Sequence, residues 1–387
     1  MDVDLIILGG GLAGAALAVA LRRSPLKIAL VELKTPQRSA GWDQRIYAYS
    51  PANQAFLDQL GVWAHLDHAR LQPVSAMHVF GDAGGEIRFS AYDSGLAELA
   101  WIGESGLVHE ELWQTLKRQH NVQLICPAAP ASLQVDAHGV ELGLEDGRQL
   151  RARLIVGADG RQSWLRQQAG IAATMKPYHE RGVVANFSTE QSHHGIAWQW
   201  FDGQGILAWL PLPGKRISVV WSAPNGLADE LMALDEADFC ARVAAAGGNR
   251  LGAFELLSPR AAFPLALMRV ETVVKERIAL IGDAAHAIHP LSGHGINLGF
   301  QDAQTLAEVL LATPAWRDLG ELSVLRRYAR ARAEEPFLMQ YLTHGLNRLF
   351  RHPDPLLARL RNHGMNLGRH LPVLNAALVR YAATSRF

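Results

Sequence analysis

The chain has 387 residues, 49% of them hydrophobic and 19% charged, which is globular rather than disordered composition. At roughly 100–200 residues per domain it has room for two or three domains and a large core. Thirty-seven basic residues balance thirty-seven acidic ones, which leaves no global field for nucleic acid. The two cysteines, Cys126 and Cys240, form no C-x-x-C or C-x4-C pair. A disulfide framework, a zinc site and a dithiol centre are therefore not expected, and a reducing cytoplasmic setting is. The acidic start, Met1-Asp2-Val3-Asp4, reads as no signal peptide. No run reaches a membrane-spanning length of about 18 apolar residues.

Val3 to Leu8 is a short apolar run, predicted as a strand buried on both faces. Glycines follow at Gly9, Gly11 and Gly14, then a helix of small and apolar residues from Ala15 to Leu21. Leu26 to Val31 reads as a second strand, closed by Glu32. The mechanics are those of a dinucleotide site. Gly9 permits the tight turn, Gly11 lets backbone approach a pyrophosphate, and Gly14 lets helix and sheet pack closely. The N–H groups at the helix start, those of Leu12 and Ala13 included, favour an anion. Glu32 is expected to accept from ribose hydroxyls and to disfavour a 2′-phosphate, giving a site for FAD or NAD. A lone G-x-G-x-x-G is also an ordinary glycine-rich turn; strand, helix, second strand and terminal acid together favour the dinucleotide.

Leu150 to Val156 leads into Gly157-Ala158-Asp159-Gly160, a strand followed either by a plain Asp-Gly turn or by a ligand-binding strand end. Four apolar or alternating stretches between Val183 and Trp221 predict an inserted antiparallel sheet, followed by a helix from Ala233 to Ala246. Within it, Trp198-Gln199-Trp200 is similar to the W-x-W element of flavin halogenases. Phe201-Asp202-Gly203 follows without the isoleucine-proline of that element, and packing of aromatic residues at i and i+2 is the expectation. Arg277 to Ile281 then leads to Gly282-Asp283, and Pro290 to a turn containing Gly293, His294, Gly295, Ile296 and Asn297 before a helix from Leu298 to Leu311. Asp283 is expected to bind a ribityl chain. The glycines after Pro290 are expected to present N–H groups to negative charge on a reduced isoalloxazine. Asp283, His286 and His289 at i, i+3 and i+6 make a poor metal site, because Pro290 interrupts any helix through them. Ser292-Gly293 lacks the frame of a nucleophile elbow. Three such segments in this order point to one dinucleotide, FAD, held by distant stretches of sequence.

From Pro336 the character changes. The last 52 residues hold seven arginines, four histidines, one acid (Asp354) and no lysine, with leucines at helical spacing. A basic amphipathic helix of this kind rests on an anionic membrane, packs on its own protein or forms a subunit contact.

With these segments, the chain resembles the single-component flavin aromatic hydroxylases, the group typified by p-hydroxybenzoate hydroxylase, and within it the ubiquinone-biosynthesis hydroxylases. The family's D-x-R-x-x-A-x-S stretch stands here as Asp43-Gln44-Arg45-Ile46-Tyr47-Ala48-Tyr49-Ser50, with Leu60-Gly61-Val62-Trp63 after it. The resemblance implies an α/β fold: a Rossmann-like FAD-binding domain (1–72, 98–178 and 271–335), an antiparallel-sheet substrate domain (73–97 and 179–270) and a C-terminal helical segment (336–387). It implies that Arg45 lies along FAD, and that Asp159, Arg161 and Arg166 serve FAD and a transient NAD(P)H. It implies hydroxylation of an aromatic or prenylated phenol with O2 through a flavin C4a-hydroperoxide, at or near the inner membrane surface, alone or in a homo-oligomer or biosynthetic complex. No protein nucleophile is required, and no general base is assigned. The alternatives are a soluble aromatic substrate and a non-catalytic flavin-binding component. Where the family commonly has glutamine, this chain has His294, expected to tune the flavin. A second strand-glycine-helix unit for NAD(P)H is missing from the sequence, unlike in disulfide-reductase-like enzymes.

Overall fold

The computed structural model describes residues 2–37, 41–203, 205–287, 295–352 and 354–369, with 376, 379 and 380 beyond them. In chain order the first half runs β1 (Leu5–Leu8), α1 (Leu12–Ala20), β2 (Ile28–Val31), β3 (Ile46–Tyr49), α2 (Pro51–Gln59), β4 (Gln72–Val74), β5 (Ala76–Phe80), β6 (Glu86–Ser90) and β7 (Ala100–Glu104). Then come α3 (Ser105–Lys117), β8 (Val122–Ile125), β9 (Pro130–Val135), β10 (Val140–Leu144), β11 (Gln149–Ala152), β12 (Leu154–Gly157) and α4 (Trp164–Gln168). The middle holds β13 (Ala173–Thr189), β14 (Ile196–Asp202), β15 (Gly205–Leu212), β16 (Arg216–Pro224), α5 (Asn225–Ala233), α6 (Glu236–Ala246), β17 (Phe254–Leu256) and β18 (Ala261–Val270). The chain closes with β19 (Val274–Lys275), β20 (Ile278–Leu280), β21 (His286–Ala287), α7 (Gly295–Leu311), α8 (Leu322–Ala331), α9 (Glu334–Arg351) and α10 (Pro355–Arg369).

One sheet has the order β19-β20-β12-β1-β2-β8, parallel except for β19. Its strands read as unbroken apolar runs because both faces are covered. Leu5 and Ile7 of β1 pack with α1, α3 and α7, while Ile6 and Leu8 pack with the small β9-β10-β11 sheet.

The second large sheet runs β21-β18-β13-β16-β15-β14-β5-β6 and is antiparallel except where β14 meets β5. Alternation along its strands sends Phe187, Trp198, Trp209 and Trp221 to one face, where they form a core with Phe239 and Val243 of α6. The tryptophans are thus packing residues, as the W-Q-W pattern suggested. The helix expected over 233–246 is α6, which starts at Glu236 because Asp235 caps it by accepting from Asp238 N at 2.8 Å; a further helix, α5, precedes it. The opposite face, with Ala197, Leu210 and Leu212, meets Ile46, Val74 and Ile102 of the β3-β7-β4 sheet. Asn186, Gln199, Ser218 and Ser222, all buried, stand at the alternate positions of that same face.

The C-terminal helices pack on this second sheet through polar contacts. Gln340 Nε2 donates to Met268 O at 2.9 Å, and Arg351 pairs with buried Glu180 at 2.5 Å. Asn362 Oδ1 accepts from Gly85 N at 2.7 Å in the β5–β6 turn, and Arg361 pairs with Asp82. Among the described residues no helix is long and apolar enough to cross a membrane.

Candidate functional site

The three glycine-bearing segments, spread over most of the chain, meet at the carboxyl ends of β1, β12 and β20. Ala158 N donates to Leu8 O at 2.7 Å, and Ile281 N to Gly157 O at 2.9 Å. Gly9 takes φ +104°, and a Cβ there would lie 2.4 Å from Ala158 O. A Cβ on Gly14 would lie 2.0 Å from Gly9 O. Both glycines are therefore fixed by contact within the protein. Gly282 closes the group from the third segment, where an added Cβ would come 3.3 Å from Ala13 Cβ.

Gly11 behaves differently. It is the N-cap of α1 with no side-chain cap, and a Cβ on it would meet no atom within 4 Å. Gly295, at the start of α7, faces similar open space. The uncapped start of α1 thus opens where anionic groups are stabilised. Asp283 is exposed in an otherwise buried run from Ile281 to Ala287. A single exposed carboxylate beside an uncapped helix start and a vacant glycine face suits a ligand bearing both a diphosphate and hydroxyl groups. These residues fit FAD: Gly9 to Gly14 for the diphosphate, Asp283 for the ribityl hydroxyls.

Other expected residues have identifiable protein partners. Glu32 Oε2 accepts from Gly10 N at 2.6 Å and Oε1 from Lys34 N at 3.1 Å, which sets the carboxylate beside the glycine loop. Asp159 Oδ2 accepts from Leu165 N at 3.0 Å and thereby orders the start of α4. Burial pushes its pKa up. Arg166, buried, donates to Ala284 O at 3.0 Å and to Arg161 O at 2.8 Å, tying the second segment to the third. Arg161 donates to Pro264 O at 3.1 Å in β18. The Asn297 side chain accepts from Ser50 N at 3.0 Å and donates to Ala48 O at 2.8 Å, locking α7 to β3. Ile296 is half-buried beside it. Gly293 and His294, with His289 and Pro290, lie outside the described residues.

Arg45 is exposed at the head of β3. Its loop is organised by Asp43, whose Oδ1 accepts from Arg45 N and Oδ2 from Gly106 N, both at 2.9 Å. Glu104 accepts from Asp43 N at 2.7 Å and pairs with Arg70 at 2.5 Å. Asn186 Nδ2 donates to Asp43 O at 2.8 Å, linking the loop to the second sheet. A cleft of about 390 Å³ lies between this loop and Leu257–Pro259. Ligand sites at such a junction of two sheets are common.

Sequence reasoning missed a buried charge cluster beneath Asp283. Asp302 Oδ2 accepts from Gly282 N at 2.9 Å and from His286 Nε2 at 2.7 Å, while Oδ1 accepts from Arg332 Nε at 2.7 Å. Burial alone would raise the Asp302 pKa, but His286 and Arg332 hold it below its usual value. Burial would lower that of His286, and Asp302 raises it instead. The signal was present as an acid within the apolar stripe Leu298, Asp302, Leu306.

A family model described as FAD binding domain matches residues 2–337. Ubiquinone hydroxylase UbiL of Rhodospirillum rubrum is 34% identical over 384 residues, which cover 98% of this chain and 89% of that protein. The 3-demethoxyubiquinol 3-hydroxylase of Escherichia coli is 31% identical over 383 residues, 98% of each chain. PqsL of Pseudomonas aeruginosa, solved in complex with 2-aminobenzoylacetate, has the same fold, with a TM-score of 0.80 at 23% identity over 94% of this chain and 99% of that one. The chain belongs to the FAD binding domain family and is an FAD-dependent monooxygenase of the aromatic-hydroxylase group.

Proposed function

We propose that the protein hydroxylates the ring of a polyprenylated phenol in ubiquinone biosynthesis, with NAD(P)H as transient reductant and O2 as oxidant. The supporting observation is similarity over nearly the whole chain to ubiquinone hydroxylases at 34% and 31% identity. Bound FAD supplies the oxygen-transfer chemistry; the protein binds, orients and excludes water. Gly9, Gly11, Leu12, Ala13, Gly14, Gly282 and Asp283 hold the cofactor, with Glu32 and Arg45 alongside. The face of the second sheet that carries Asn186, Gln199 and Ser218 roofs the ring to be hydroxylated. A prenylated phenol is expected to stimulate NAD(P)H oxidation by the FAD-loaded protein several-fold and to yield its hydroxylated product by mass spectrometry. Stimulation by soluble aromatic acids alone would overturn the substrate class. No stimulation by any phenol would favour a non-catalytic flavin component.

The same reading places α9 and α10 on an anionic membrane surface. Their inner sides grip the second sheet, yet Phe337, Tyr341, Leu346, Leu356, Leu360 and Leu367 are exposed. Arg348, Arg359 and His363 are exposed on the same two helices and His352 between them; the last two turns of α9 and the described length of α10 contain no acid, and Asp354 stands in the connection. Each basic residue near such a surface contributes about 1 kcal/mol, and a long-chain substrate would reach the site without crossing water. Binding to anionic vesicles is expected to exceed binding to neutral ones and to weaken with salt. Leu346→Ser with Leu360→Ser, on the exposed side, should abolish it while FAD remains bound. Equal binding to both vesicle types, or to neither, would favour a subunit contact.

A further inference from the structure

The Gly10–Gly11 peptide is gripped from inside the molecule. Glu32 takes the N–H of the preceding Gly9–Gly10 peptide, that of Gly10, at 2.6 Å. The Gly10 carbonyl accepts from Trp113 Nε1 at 2.8 Å and from His109 Nε2 at 2.7 Å. A carbonyl only accepts, so His109 carries its proton on Nε2. The two donors stand at i and i+4 on α3, on one helix face, with their rings edge to face at 6.2 Å. Trp113 is buried and His109 half-buried.

A trans peptide is planar, so the N–H of Gly11 points opposite to the C=O of Gly10. With the carbonyl turned inward to α3, that N–H is turned outward, at the uncapped start of α1 where a Cβ on Gly11 would find open space. A peptide between two glycines has little steric resistance to flipping. Flipped, it would aim a carbonyl oxygen, rather than a donor, at an anion. The side chains of α3 therefore decide which end of this dipole a diphosphate meets.

We propose that His109 and Trp113 are positioning residues for the FAD diphosphate, holding the Gly10–Gly11 peptide so that the Gly11 N–H is presented to it. The proposal rests on the reading of the Gly9–Gly14 loop as the FAD site. Each acts through the Gly10 carbonyl.

The test is FAD titration of the full-length apoprotein, followed by flavin fluorescence, with 31P NMR of the bound cofactor. His109→Leu and Trp113→Phe should each weaken FAD binding about tenfold, the loss of one hydrogen bond's worth of ordering. Both should shift the diphosphate resonances. His109→Gln, whose amide can donate to the same carbonyl, should restore affinity and resonances. Equal losses in His109→Leu and His109→Gln would mean that packing, not the donor, matters, and would overturn the proposal. If Trp113→Phe fails to fold, the two variants at half-buried His109 decide the matter alone. Gly11→Val separates the layers. If it binds FAD like the wild type, the reading of the loop as the FAD site fails. If it loses FAD while His109→Leu and Trp113→Phe keep wild-type affinity and resonances, the positioning role alone is overturned.

Discussion

Asp302→Ala is expected to destabilise the protein by about 3 kcal/mol, because it breaks a buried ion pair and leaves Arg332 with Glu335 as its remaining acid partner among the described residues. The buried carboxylate holds Arg332 at 2.7 Å, His286 at 2.7 Å and the N–H of Gly282 at 2.9 Å. Its removal releases the turn that carries Asp283, so FAD retention should fall together with the urea midpoint. The pH dependence follows from the two shifts. The lowered pKa of Asp302 gives stability that is present above its unfolded pKa of about 4 and is lost as pH falls through the folded value. The raised pKa of His286 gives stability that is full below about pH 6.5 and is lost as pH rises through the folded value. The pair therefore contributes fully only between about pH 4 and pH 6.5. The stability gap between the wild type and His286→Gln, measured by urea unfolding, should shrink from pH 6 to pH 9. A gap that stays flat across that range would show that His286 remains neutral beside Asp302.

Gly11→Val and Gly14→Val should fail in different ways. A valine at Gly11 meets no protein atom within 4 Å of its Cβ, so the apoprotein should melt like the wild type. Its side chain would occupy the space of the diphosphate and displace about two charge-assisted hydrogen bonds, weakening FAD on the order of a hundredfold. At Gly14 the added Cβ would sit 2.0 Å from Gly9 O, backbone against backbone, with no flexible side chain to yield. Loss of folded protein is expected there, whether or not FAD is present. Calorimetric melting of the apoproteins beside FAD titration distinguishes the two. Unchanged FAD affinity in folded Gly11→Val would place the cofactor elsewhere, and normal melting of Gly14→Val would mean that α1 can shift away from β1.

Local chemistry made much of this protein legible in one dimension. The first strand, the glycine turn and the following helix are specified by neighbours in sequence: a doubly buried strand must be apolar throughout, and Gly9 and Gly14 are forced by contacts within a few residues or one strand away. The leucine spacing after Pro336 likewise foretold α9 and α10, since a helical face repeats within two turns. Other features depend on which surfaces meet. Spacing could not say that Trp198, Trp209 and Trp221 face α5 and α6 rather than the β3-β7-β4 sheet, because a one-residue change of register exchanges the two faces of a strand. Nor could it say that β13 extends to 17 residues, since the length of a strand is set by partners, here β16 and β18, that lie far along the chain. The roles of Asp302 and of the His109–Trp113 pair were hidden for the same reason. Asp302 acts on Gly282 from 20 residues away, and His109 acts on Gly10 from 99. Sequence by itself determined where the backbone is bare, at Gly9, Gly11 and Gly14, because that depends on the absence of a side chain. Tertiary structure alone decided which groups hold those residues in place, because a buried carboxylate or indole N–H has no effect until folding brings a polar partner to it and excludes water.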